Sequence, residues 1–183
     1  VRACTDETTG IYVHQNANLN LSAAAVRDVF LDGAGLEVCQ AGLGIRVGEY
    51  EGGTPGRATL TRVTVSGFQK AAVVATSDGT QLTVEDSEII GAGENPTLAQ
   101  NGIQVSGSAL ATIQRTLIRD LTCTNASCGS DPTNQFAATG VIIFGGASGI
   151  TVQDNTFARN DIGIYNLSNN ATIRNNRLEE TRF

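Results

Sequence analysis

The sequence predicts an all-β chain wound as a single-stranded parallel β-helix of about six coils, and three observations predict it. Two near-copies of one pattern, Ile150-Thr151-Val152-Gln153-Asp154-Asn155-Thr156-Phe157 and Ala171-Thr172-Ile173-Arg174-Asn175-Asn176-Arg177-Leu178, stand 21 residues apart. Short alternating runs of Val, Ile and Thr with Asn at a fixed corner are what one solenoid turn requires. The same spacing of apolar positions recurs in six copies along the chain. Composition agrees, because 21 Gly, no Trp and an aromatic content of 5% leave small aliphatic side chains to fill a narrow core.

Taken in order, residues 1 to 9 are polar and lead into the first turn. One strand series then follows: Gly10-Ile11-Tyr12-Val13, Gly44-Ile45-Arg46-Val47, Ala72-Val73-Val74-Ala75, Gly102-Ile103-Gln104-Val105, Gly140-Val141-Ile142-Ile143 and Gly163-Ile164-Tyr165-Asn166. Period-two alternation sends the second residue of each inward and the third outward. A second series places Ala24, Ala58, Leu82, Ala111, Ile150 and Ala171 at one core position, and Val26, Leu60, Val84, Ile113, Val152 and Ile173 at the next. Leu31, Val65, Ile89, Ile118, Phe157 and Leu178 follow after a corner. Between the first two lie Ala25 and then Thr59, Thr83, Thr112, Thr151 and Thr172, an outward row with good β propensity. The corner itself is Asp28, Arg62, Asp86, Arg115, Asp154 and Asn175, where charges alternate from coil to coil. One residue on, Asn155 above Asn176 is expected to satisfy groups that the bend leaves unpaired.

Intervals between copies of the Val26 position are 34, 24, 29, 39 and 21 residues, so the longer ones carry loops, expected at 48–57, 91–101 and 119–139. At 183 residues the chain reads as one β-helix domain, and its short flanks suggest a piece of a longer chain or end coils covered by another copy or a further domain.

Charge and cysteine bound the partners. A net charge of −6 with only 12 dispersed basic residues weighs against nucleic acid, and no apolar run is long enough for a membrane span. Cys4, Cys39, Cys123 and Cys128 are even in number. Two disulfides in a secreted, periplasmic or cell-surface protein, Cys123 with Cys128 and Cys4 with Cys39, are one arrangement, four unpaired cysteines are another, and zinc is the least supported because no tight ligand pairs recur.

The Ala-Thr-Ile-x-x-Asn-x-Leu and Gly-Ile-x-Val units, over about residues 10 to 178, resemble the right-handed parallel β-helix repeats of the pectin-lyase-like superfamily. The resemblance implies right-handed winding. It implies no single activity, since the superfamily holds lyases, hydrolases, epimerases, adhesins and non-catalytic surface proteins. Asp131-Pro132 is similar to the Asp-Pro-His motif of mannuronan epimerases, but Thr133 stands where the histidine belongs. The clustered aspartates and Gly-His-Gly element of polygalacturonases are absent.

The outward positions Tyr12, Arg46, Gln104 and Tyr165, with Glu49 and Tyr50 on the first long loop, are the candidate ligand contacts. Aromatic, amide and guanidinium groups in a shallow groove stack on sugar rings and bond their hydroxyls. Glu49 and Glu51 are candidate general acid and base for glycosidic cleavage, and His14, the sole histidine, is a candidate base. A lyase would draw on Arg46 or Lys70. No cofactor and no dedicated metal site is expected; calcium is the one ion left open, at Glu49 with Glu51 or Asp78 with Glu94, though these lack the dense alternation of a calcium loop. The sequence favours a non-catalytic, exported module that binds polysaccharide or builds part of a surface protein, with a polysaccharide lyase or glycoside hydrolase as the alternative.

Overall fold

A computed structural model describes residues 4, 7–50, 53–129 and 136–183. Numbered in chain order, the strands build three parallel sheets of six strands each. The first sheet stacks β1 (Thr9–Val13), β4 (Leu43–Val47), β7 (Ala71–Ala75), β10 (Asn101–Val105), β13 (Thr139–Ile143) and β16 (Ile162–Asn166). The second stacks β2 (Asn18–Ser22), β5 (Arg57–Thr61), β8 (Gln81–Glu85), β11 (Leu110–Gln114), β14 (Ile150–Gln153) and β17 (Ala171–Arg174). The third stacks β3 (Ala25–Val29), β6 (Thr64–Phe68), β9 (Glu88–Asn95), β12 (Leu117–Cys123), β15 (Thr156–Asn160) and β18 (Arg177–Glu179). The chain therefore winds through one strand of each sheet per coil, six times, as a parallel β-helix. At about 4.8 Å between neighbouring strands the stack is about 25 Å long.

Inside lies one column of mostly aliphatic side chains, with Phe157 the largest fully buried among them. The first sheet is in the expected register: Ile11, Ile45, Val73, Ile103, Val141 and Ile164 pair in sequence. In five of its six strands, Ala72 of β7 being the exception, glycine stands where the chain bends into the sheet, and a Cβ on Gly44 would stand 2.7 Å from Val65 Cγ1.

The first coil corrects the expected register of the second series. Leu19 pairs with Ala58 and Leu21 with Leu60, so these, not Ala24 and Val26, hold the first two core positions. Val26 instead pairs with Val65 on the third sheet, and Asn20, not Ala25, heads the threonine row. Leu31 belongs to a satellite cluster with Cys39 and Ala41, within a loop over residues 30–42 that the sequence intervals did not reveal. The expected loops 91–101 and 119–139 are shorter, because β9 and β12 run on and pair as far as Cys123 with Asn95.

The corner between second and third sheets is a column of left-handed residues: Ala23, Arg62, Asp86, Arg115, Asp154 and Asn175, with φ between 49° and 56°. Ala23, not Asp28, is its first member. Such a conformation costs about 1 kcal/mol at a non-glycine residue, and hydrogen bonding to the next coil offsets it. Ala23 N–H donates to Thr61 O, Arg62 N–H to Glu85 O, and Asp154 N–H to Arg174 O. The following N–H is capped by a side chain one coil on: Val63 by Ser87 Oγ at 3.0 Å, Thr116 by Asn155 Oδ1 at 3.0 Å and Asn155 by Asn176 Oδ1 at 3.1 Å. The expected asparagine ladder is thus present. Alternating charge at this corner yields one ion pair, Arg115 to Asp86 at 2.7 Å.

The opposite corner has its own polar supports. Gln69 accepts from Leu31 N–H and donates to Leu36 O and Cys39 O, and Gln100 accepts from Ala92 N–H and donates to Phe68 O. Asp161, fully buried, accepts from Cys123 N–H and Ala138 N–H and pairs with Arg182. Two disulfides are present, Cys4 with Cys39 across the first coil and Cys123 with Cys128 within a five-residue turn. On the last coil Ile173 and Leu178, whose counterparts elsewhere are core, are exposed.

Candidate functional site

The outward residues of the first sheet form a single row, because Tyr12, Arg46, Val74, Gln104, Ile142 and Tyr165 are register partners from strand to strand. Chemistry is concentrated at one end of it. Arg46 is only 6% exposed. Its guanidinium carbon lies 4.7 Å from the centre of the Tyr12 ring and 4.0 Å from that of Tyr50, and it bonds Glu7 and, through Nε, Gly48 O at 3.2 Å. Tyr12 also stacks on His14, with ring centres 4.2 Å apart and planes 11° apart. β1 and β4 fix Tyr12 and Arg46 as neighbours, and the loop after β4 folds back to lay Tyr50 on the arginine.

Glu49 anchors that loop. Its carboxylate accepts from Thr54 N–H at 2.7 Å and Thr54 Oγ at 3.0 Å, and its other oxygen meets His14 Nδ1 at 2.9 Å. Its carbonyl accepts from Ser77 Oγ in the next coil. The Thr54 bonds, then that of His14, hold the Glu49 carboxyl below its ordinary pKa. An ionised carboxylate only accepts, so His14 donates through Nδ1–H and Nε2 is turned away from Glu49. Desolvation raises the Tyr12 and Tyr50 phenols, against the pull of Arg46, so both are neutral donors at neutral pH. Tyr12 and Tyr50 remain 41% and 40% exposed. The patch is two tyrosines and an imidazole held around a buried cation, with its acids engaged.

Five of the residues singled out in the sequence, Tyr12, His14, Arg46, Glu49 and Tyr50, therefore meet in one cluster. Gln104 stands two strands beyond Arg46, behind buried Val74, and accepts from Asn101 Nδ2 at 3.3 Å. Tyr165 is at the far end of the row, in a cleft with Ile142 and Phe136. Glu51 and the Asp131-Pro132 pair lie outside the described residues. Asp78 and Glu94, paired above as calcium acids, stand on different corners, one between β7 and β8 and the other near the end of β9. Among the described residues no three His, Cys, Asp or Glu side chains are grouped to hold a metal ion, and no helix is long and apolar enough to cross a membrane. Sequence reasoning passed over Glu7, Thr54 and Ser77, which position the cluster. Nothing in a lone acid or a Thr-Pro-Gly loop marks them.

Residues 44–182 match the description of a right-handed β-helix region. The chain belongs to the right-handed β-helix family. Winding is accordingly right-handed, as the repeat resemblance implied. Comparison with curated proteins and with solved structures returned no significant match.

Proposed function

We propose that this right-handed β-helix is a non-catalytic module of an exported or surface protein, and that it binds polysaccharide at the Tyr12, His14, Arg46 and Tyr50 patch. The observation that carries the reading is the fixed pair of half-exposed tyrosines around buried Arg46. The chain has only nine aromatic residues, 3 Tyr and 6 Phe, and two of the tyrosines share one cation. Sugar rings present apolar C–H faces to aromatic rings and hydroxyls to phenol and imidazole groups. Gln104 and Tyr165, on the same row, extend the contact along a chain-like ligand. Two disulfides support an oxidising compartment. The non-catalytic part rests on engagement of the nearby acids, Glu49 by Thr54 and His14, and Glu7 by Arg46.

The test is affinity electrophoresis against neutral and acidic polysaccharides, with reducing-end and unsaturated-product assays on the same panel. Retardation by at least one polysaccharide without product, weakened in Tyr12→Ala and Tyr50→Ala, is the expected result. Retardation unchanged in both variants, or no retardation by any polysaccharide, overturns binding at this patch. A second reading has one observation in its favour: Glu49 orients His14 through Nδ1, which leaves Nε2 as a general base. Product that disappears in His14→Ala would establish it.

A further inference from the structure

Among twelve basic residues Lys70 is the only lysine. It stands between β6 and β7, at the end of the first-sheet strands opposite the tyrosine patch. Its Nζ donates to Ala99 O at 2.7 Å, which leaves two of its three N–H donors. Two clefts open onto it, of about 100 and 140 Å³, and Phe136 walls both. Tyr165, Ile142 and Asn101 line the larger and Leu98 and Ser127 the smaller. Lys70 is the one charged side chain lining either cleft among the described residues. Desolvation is the cause that pulls its pKa down to about 8, and a neighbouring carboxylate would push it the other way. The ammonium is partly desolvated and has no counter-charge among the described residues.

We propose that the clefts at Lys70 form a binding site for a small ring-bearing carboxylate, whose carboxylate takes the Lys70 ammonium while its ring lies against Phe136. Two free N–H donors match the two oxygens of one carboxylate, and a single cation matches a monoanion. The larger cleft, of about 140 Å³, is small beside a drug-sized pocket and suits a single ring. Phe136, with 67% of its surface exposed, is an apolar wall with nothing packed on its outer side among the described residues. The site lies apart from Tyr12, His14, Arg46 and Tyr50 and shares only Tyr165 with the row proposed for polysaccharide, so a titration read at Lys70 tests it separately from that reading.

Because Lys70 is unique, protein labelled with ¹³C-lysine gives a single Cε resonance for pH titration, and no variant is needed. Benzoate is the probe, benzamide its neutral isostere and acetate the charge without the ring. With saturating benzoate the Lys70 pKa is expected to rise by about one unit. Benzamide is expected to bind about tenfold more weakly, as loss of about 1.4 kcal/mol implies, and acetate more weakly than benzoate. Lys70→Met, which keeps the stem, is expected to abolish the preference for benzoate. The proposal is overturned if the Lys70 pKa does not move with benzoate, if benzoate and benzamide bind equally, or if the free protein titrates above the ordinary lysine value, which would mean that a carboxylate of the chain itself occupies the site.

Discussion

The outward faces of the first and second sheets share one coil repeat and differ in what their side chains do with it. On the second sheet Arg174 donates to Gln153 at 2.8 Å, Gln153 to Gln114 at 3.0 Å and Gln114 to Glu85 at 2.9 Å, while Thr61 donates to Glu85 from the other side. Five coils are thus tied by a chain of bonds that converges on one acid. Gln114 first, then Arg115, hold the Glu85 carboxyl below its usual pKa. On the first sheet the chemistry changes at every coil, from Tyr12 through Arg46, Val74 and Gln104 to Ile142 and Tyr165. A face whose side chains bond one another spends its donors and acceptors on register. A face whose neighbours do not match leaves aromatic surface exposed, as at Tyr12.

The largest way to break this comparison is to release the loops that frame the first sheet. Cys4→Ser with Cys39→Ser opens a loop of 35 residues and is expected to lower unfolding stability by about 4 kcal/mol from chain entropy. Cys123→Ser with Cys128→Ser opens a loop of 5 residues and is expected to lower it by about 2 kcal/mol. Urea denaturation of the two double variants checks the order, and equal losses would mean that loop length does not set the effect.

Next in size is the corner that both faces depend on. Asn155 is buried, accepts from Thr116 N–H and donates to Ile113 O. Asn155→Ala leaves both backbone groups unpaired away from water and is expected to lose about 3 kcal/mol. Asn176→Ala, on the exposed last coil where water can replace the amide, is expected to lose about 1 kcal/mol. Similar losses at both positions would show that burial is not what makes the ladder matter.

How much of this was legible follows from where the chain repeats itself. Five coils were readable because Val, Ile and Thr keep one spacing around a corner that interval alone can find. The first coil offers two apolar pairs, Leu19 with Leu21 and Ala24 with Val26, and a charged residue in the corner place, Asp28, favoured the latter pair. Asp28 is indeed left-handed, with φ 59°, but it belongs to the column on the third sheet that includes Gly67, Asp120 and Arg159. These are two different columns of left-handed residues, and one-dimensional spacing does not separate them. The tyrosine patch was legible in part, since Tyr12 and Arg46 follow from register, whereas Thr54 and Glu7 act through loop closure. The Gln114–Gln153 bond depends on facing amides across 39 residues, which the unequal loops conceal.

The patch itself gives a smaller effect. Tyr50→Ala is expected to weaken polysaccharide binding about tenfold, or about 1.4 kcal/mol, while Thr83→Val on the second sheet leaves it unchanged. Glu49 adds a pH signature. Its pKa is lowered on folding from 4.5, so its stabilisation of the loop is complete above that value and is lost as pH falls through the lowered one. The Glu49 contribution to binding is expected to hold down to the ordinary carboxylate range and to fall only below it. A midpoint above 4.5 would place the controlling group elsewhere.

The smallest effect tests the bonded face directly. Gln153→Ala removes the middle of the ladder, cutting its bonds to Gln114 and Arg174. Both partners reach solvent, so water replaces the lost bonds and the expected loss is about 0.5 kcal/mol. The corner remains capped by Asn155 and Asn176, and the backbone pairing of β14 is untouched. If Gln153→Ala instead costs as much as Asn155→Ala, the outward ladder, and not the buried corner, sets the register of the coils.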